Sequence, residues 1–241
     1  MPEGTSASTP LEESTTDSTW AVLVAAGAGE RLGIDRPKAF AALRGRPLLA
    51  ESLDRLDRCP WVDAIVVAAP PGWEEPAILL SEELAAGKVV SCVTGGTTRA
   101  ESVRNALADV GDEALVVLVH DAARPLLSDD VVERVLAPLA EGYDGVVPAL
   151  SVPDTLKRVE GDRVLETVSR DGLVSVQTPQ GFLASALRRA FAGDLTDPTD
   201  CASLVEQGGG RVVVVEGDPR LLKVTTPADL ALVESLLTTP G

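Results

Sequence analysis

Short apolar runs of small and β-branched side chains alternate along this chain with longer stretches whose apolar positions recur every three or four residues. The runs at 20–24, 64–69, 89–93, 115–119 and 146–148 are apolar at nearly every position, as strands buried on both faces are. Between them, 47–58, 74–86, 99–109 and 129–140 have the spacing of amphipathic helices. The last follows Ser128, a good N-cap residue, and has acids in its first turn. Strand and helix in alternation predict βαβ units, hence an open, mostly parallel sheet covered by helices on both faces.

Two stretches depart from that rhythm. Residues 153–176 alternate apolar and polar positions around the turn-like Glu160-Gly161-Asp162, the pattern of an antiparallel hairpin. Within an α/β domain such a hairpin either covers an edge or projects toward a partner. Residues 1–19 hold Leu11 as their single large apolar side chain beyond Met1, among Ser, Thr, Pro and Glu, and read as a disordered acidic tail. Past the hairpin the pattern predicts a short run at 176–178, a helix near 183–191 and a strand at 211–215. A C-terminal helix then opens with Pro227 behind Thr226, where Pro suits the first helical position. No internal repeat and no second unit stand out. The expectation is one α/β domain over 20–239, a Rossmann-like open sheet with a projecting β-hairpin arm at about 153–176.

Composition narrows the function. With 241 residues, 45% of them hydrophobic and 24% charged, the chain can bury a sizeable core. Its formal net charge of -16 argues against a nucleic-acid partner, which calls for a basic face. No apolar run reaches the ~18–20 residues of a membrane span, and no basic segment followed by an apolar stretch marks a signal peptide. Cys59, Cys92 and Cys201 lie far apart, form no CxxC and share the chain with a single histidine, His120. That spacing argues against a disulfide framework and a Cys/His zinc site. A cytoplasmic protein is expected. Lys38, Lys88, Lys157 and Lys223 are its lysines, all other basic residues being Arg, and against that background a Lys draws attention as a compact point charge.

Three segments could carry chemistry. The first follows the first strand: Val24-Ala25-Ala26-Gly27-Ala28-Gly29-Glu30-Arg31-Leu32-Gly33, then Arg36-Pro37-Lys38. Glycines at a strand end let backbone N–H groups approach a phosphate. The spacing is neither a Walker A loop nor G-x-G-x-x-G, so a purely structural turn competes. Arg31 and Lys38 favour the phosphate bed. The second segment is Gly95-Gly96-Thr97-Thr98-Arg99-Ala100-Glu101-Ser102, where Ser102 near a helix start could donate to a base or sugar and a tight capped turn is the plainer reading. The third is His120-Asp121-Ala122-Ala123-Arg124-Pro125, at the end of an apolar strand, where open α/β sheets bind ligands. An Asp there, beside phosphates, suits Mg²⁺. His120 is expected to bond structurally, since a phosphate attacking phosphorus needs no base.

These segments resemble the 2-C-methyl-D-erythritol 4-phosphate cytidylyltransferases, or 4-diphosphocytidyl-2-C-methylerythritol synthases. The likeness spans roughly 20–237 and includes, in order, Ala25-Ala26-Gly27-Ala28-Gly29-Glu30-Arg31 with Pro37-Lys38, Gly95-Gly96 with Arg99 and Ser102, and His120-Asp121-Ala122-Ala123-Arg124-Pro125. It continues through Asp154-Thr155-Leu156-Lys157-Arg158, Gln177-Thr178-Pro179-Gln180-Gly181-Phe182, Thr199-Asp200 and Leu222-Lys223-Val224-Thr225. The resemblance implies cytidylyl transfer from CTP to 2-C-methyl-D-erythritol 4-phosphate, with Mg²⁺ as cofactor. It implies that Ala25, Ala26, Gly27, Gly96 and Ser102 surround the nucleotide, with Ala122 near the ribose. Arg31 and Lys38 would hold the triphosphate and stabilise the transition state. Asp121 would serve metal and substrate, Arg124 and Thr199 would fix the acceptor, and Thr155, Arg170 and Lys223 would position its phosphate. Two Thr-Asp registers compete, Thr199-Asp200 and Thr196-Asp197. Val24 departs from the Pro that many members carry there. In such proteins the arm reaches a neighbouring subunit's site, which implies a homodimer. A ribitol-5-phosphate cytidylyltransferase is similar and is the alternative, although the run 174–182 leans toward the methylerythritol enzyme. A nucleotide-binding protein without catalysis is opposed by the full set of cations and the Asp.

Overall fold

The computed structural model describes residues 18–27, 29, 32–193, 195 and 198–238. The expected disordered tail lies, over residues 1–17, outside the described residues. Ser18 and Thr19 already belong to the first strand, β1 (Ser18–Val24), which starts two residues earlier than the apolar run alone suggests. Polar contacts fix them: the Thr19 N–H donates to Asp63 Oδ2 at 2.8 Å and Ser18 Oγ donates to the Glu113 carbonyl at 2.9 Å. A small hairpin of β2 (Ala42–Leu43) and β3 (Arg46–Pro47) leads into α1 (Leu48–Arg58). It turns on Arg44 and Gly45, both at positive φ, as a two-residue hairpin loop requires. Then follow β4 (Ala64–Ala69), α2 (Glu74–Glu83), β5 (Val89–Thr94), α3 (Arg99–Leu107), β6 (Ala114–Asp121), α4 (Asp129–Ala140) and β7 (Gly145–Ser151), close to where the apolar pattern puts them.

β5, β4, β1 and β6 lie side by side in that order, all parallel. The remainder of the chain comprises β8 (Leu156–Glu160), β9 (Arg163–Val168), β10 (Val174–Val176), β11 (Gln180–Leu183), α5 (Ala184–Phe191), α6 (Cys201–Gln207), β12 (Val212–Glu216) and α7 (Pro227–Thr238). β7 and β12 form a second parallel pair. β11 joins the two blocks, antiparallel to both β6 and β7. The fold is therefore the expected mostly parallel, helix-covered sheet, with an antiparallel strand in its interior that the sequence pattern misses. Side chains alternate between two cores. Ala21, Leu23, Ile65 and Val67 face α1, α2 and α4; Trp20, Val22, Val66 and Val117 face α3, α5 and α6.

The hairpin arm consists of β8 and β9 alone, turning at Gly161. Val174–Val176, expected in the arm, pair instead with Ala149–Ser151 in the main sheet. No side chain of β8 or β9 is buried, and the paired Val159 and Val164 are 56% and 55% exposed.

Candidate active site

From β1 the chain builds outward on one side through β4 and β5, then returns to the other side of β1 as β6. Such a reversal opens a crevice at the carboxyl ends of the two strands. Here those ends run into Ala25-Ala26-Gly27 and Asp121-Ala122, tied together by the Ala122 N–H donating to the Val24 carbonyl at 3.0 Å. A cleft of about 410 Å³ lies over them, lined by Ala25, Ala26, Gly27, Lys38, Gly96, Ser102, Asp121, Ala122 and Lys223 among others. Lys38 reaches it because Gly29 sits at φ +80°, where a Cβ would lie 2.9 Å from the Lys38 Cβ and 3.0 Å from its backbone nitrogen. Only glycine satisfies both demands. Ser102 lines the cleft with its hydroxyl engaged. It donates to the Thr98 carbonyl at 2.9 Å and accepts from the Gly96 N–H at 3.0 Å, so it shapes the Gly96 loop. A capping box between Thr98 and Glu101 anchors the same turn.

Asp121 is the centre of charge. Arg99 Nε donates to its Oδ1 at 2.9 Å and Lys223 Nζ to its Oδ2 at 2.7 Å. Burial alone would raise the carboxyl's pKa, but the two cations outweigh that and hold it well below the usual carboxylate range. Arg99, Asp121 and Lys223 also line a second lobe of about 310 Å³, together with Arg124, Gln180, Thr199 and Asp200. The Lys223 segment is held against it by the Val224 N–H donating to the Ala123 carbonyl at 2.8 Å, and Arg124 Nη1 donates to the Leu221 carbonyl at 2.8 Å. Two lobes thus meet at one buried carboxylate flanked by cations. Among the described residues no group of three or more His, Cys, Asp or Glu side chains could hold a metal by itself.

The sequence pattern of 2-C-methyl-D-erythritol 4-phosphate cytidylyltransferases matches residues 19–239. The chain belongs to that family. It is 46% identical to the 2-C-methyl-D-erythritol 4-phosphate cytidylyltransferase of Frankia casuarinae over 218 residues, covering 90% of this chain and 80% of that one. It is also 46% identical to the protein of that name from Saccharopolyspora erythraea, covering 90% and 98%. The crystal structure of the Thermus thermophilus protein of that name superposes with a TM-score of 0.75 at 37% identity, covering 90% of this chain and 98% of that one.

Against the roles that the cytidylyltransferase family suggests, the structure brings eleven expected residues to the two lobes: the nine named above for the cleft, with Arg124 and Thr199 in the second. Arg31 and the competing pair Thr196-Asp197 lie outside the described residues. Thr155 and Arg170 are exposed and line neither lobe; Arg170 Nη1 donates to the Pro153 carbonyl at the arm's base. His120 is structural. Its Nε2 lies 3.0 Å from the Arg124 carbonyl, which can only accept, so Nε2 carries the proton. Nδ1 then accepts from Thr178 Oγ1 at 3.1 Å, and that oxygen accepts from the Asp121 N–H at 3.1 Å. Burial pushes the imidazole pKa down to about 4, and the neutral ring orients the strand end that carries Asp121. Arg99, present in the motif but given no role there, lines both lobes and holds Asp121, a placement that sequence reading missed.

Proposed function

We propose that this protein transfers a cytidylyl group from CTP to 2-C-methyl-D-erythritol 4-phosphate, releasing pyrophosphate and forming 4-diphosphocytidyl-2-C-methyl-D-erythritol for non-mevalonate isoprenoid precursor synthesis. The observation that carries this reading is the shared wall of the two lobes, where Asp121 joins Arg99 and Lys223. A triphosphate over the Gly27–Lys38 side and a phosphate on the Arg124 side would meet there. An acceptor phosphate oxygen forms a bond to the α-phosphorus as the bond to the pyrophosphate oxygen breaks. The nucleophile is already anionic at neutral pH, so the main obstacle is repulsion between polyanions, and fixed positive charge and positioning supply the acceleration. Lys38 and, by family resemblance, Arg31 serve the triphosphate; Lys223 serves the acceptor phosphate.

Mg²⁺ is the proposed cofactor, with Asp121 to hold it. Mg²⁺ is commonly held by one or two carboxylates together with substrate phosphates, and Asp121 is the carboxylate that the two lobes share. When bound, the metal neutralises charge on the CTP phosphates. A homodimer is proposed because an isolated two-stranded hairpin is marginal in water; exposed Val159, Val164 and Leu165 on the arm support it, and Thr155 and Arg170 would complete the partner's acceptor site. The cytoplasm is the proposed compartment, in keeping with three free cysteines. No helix of the described residues is long and apolar enough to cross a membrane. Pyrophosphate release from CTP and Mg²⁺ with 2-C-methyl-D-erythritol 4-phosphate tests the reaction. Release with ribitol 5-phosphate in its place would favour the alternative enzyme, and nucleotide binding without release from either would leave a binding protein.

A further inference from the structure

Of the four buried side-chain polar atoms without a hydrogen-bond partner among the described residues, three belong to residues lining the second lobe: Arg99 Nη2, Arg124 Nε and Gln180 Oε1. A buried polar atom is costly unless paired, and three on one lobe mark it as built for a polar ligand. Gln180 is the most constrained of them. It is 1% exposed, and its Nε2 donates to Asp200 Oδ2 at 2.6 Å. A carboxylate only accepts, so the amide cannot be turned round. Asp200 is itself fixed, because its Oδ1 accepts from the Ser203 N–H at 2.9 Å as the N-cap of α6.

An oxygen so presented needs a donor. Ionised phosphate oxygens offer none, whereas a hydroxyl does, and a hydroxyl can at the same time accept from an arginine N–H. We infer that Gln180 is a specificity-determining residue, whose Oε1 accepts a hydrogen bond from a free hydroxyl of the polyol phosphate acceptor. Asp200 acts through it as a positioning residue. The inference rests on the proposed reading of this lobe as the acceptor site.

The test compares steady-state kinetics of the full-length wild type, Gln180→Met and Asp200→Asn with 2-C-methyl-D-erythritol 4-phosphate and with analogues that each lack one hydroxyl. Gln180→Met keeps the length of the side chain and removes its acceptor. Its KM for the acceptor should rise about tenfold or more, with KM for CTP little changed. One deoxy analogue should be used equally well by wild type and Gln180→Met, since the interaction is already absent from both. Asp200→Asn keeps the capping oxygen and presents an N–H to Gln180, which reverses the amide; the acceptor KM should rise again. Should Gln180→Met fail to fold, Asp200→Asn with the same analogues decides the matter. Unchanged acceptor KM with only a lowered Tm, or equal penalties on every analogue, would overturn the inference while leaving the reaction standing. Failure of the wild type to release pyrophosphate with this acceptor removes the proposed reaction itself, and the inference with it.

Discussion

Lys38 is placed by its backbone as much as by its charge. Its N–H donates to the Gly27 carbonyl at 3.2 Å, which fixes the side chain's origin on the cleft wall. Lys38→Met should lower kcat by ~10²-fold or more, the range for loss of a transition-state donor, with Tm little changed; near-normal kcat would remove the role. His120 gives a pH prediction. Folded, its pKa is near 4; unfolded, it returns to the ordinary value near 6.5. Between those values the unfolded chain binds the extra proton, so stability should be full above about 6.5 and fall as pH drops toward 4. The slope should approach 1.4 kcal/mol per pH unit. Urea unfolding at several pH values should show this component in the wild type and lose it in His120→Gln. Lys223 was singled out through the family resemblance, whereas Lys38 and Asp121 were legible because each belongs to a loop or strand end that the apolar pattern marks. Arg99 and Gln180 were not, since their meaning lies in partners 22 and 20 residues away, Asp121 and Asp200.

Among elements, the buried strands were readable wherever both faces are apolar, as in β4, whose six residues are all buried. β11 was not. Its Gln180 and Gly181 break any apolar run, although Gly181 is needed because a Cβ would come within 2.6 Å of Val135 Cγ1 on α4. α6 was missed as well, being only seven residues long; Asp200, two positions after Pro198, was the available signal, an N-cap residue ahead of Ala202, Leu204 and Val205. The loop after β1 gives a prediction at this scale. Gly29→Ala adds a Cβ against the Lys38 backbone at a positive φ, so the loop must shift and carry Lys38 with it. Activity should fall by at least about tenfold while stability falls by only ~1–2 kcal/mol. An unchanged kcat/KM for CTP would show that the loop's shape does not matter.

The whole molecule presents an arm without a core of its own, and the dimer prediction belongs here. Lys38→Met and Arg170→Ala proteins, each inactive, are mixed and allowed to exchange subunits, with exchange confirmed independently. If Arg170 serves the neighbouring site, each mixed dimer has one intact site, and random pairing should restore roughly a quarter of wild-type activity. If Arg170 serves its own site, none returns. The ion pair at the junction of the lobes has a consequence for the order in which the protein comes into being. Asp121 and Lys223 stand 102 residues apart, and Gln180 and Thr199 lie between them. Both walls of the cleft depend on distant contacts, since the Ala122 N–H that ties β6 to β1 reaches back to the Val24 carbonyl. The second lobe is complete only once the Lys223 segment has docked. A nascent or C-terminally clipped chain without Lys223 should therefore leave the Asp121 carboxylate one cation short, and turnover should wait until that segment has been made.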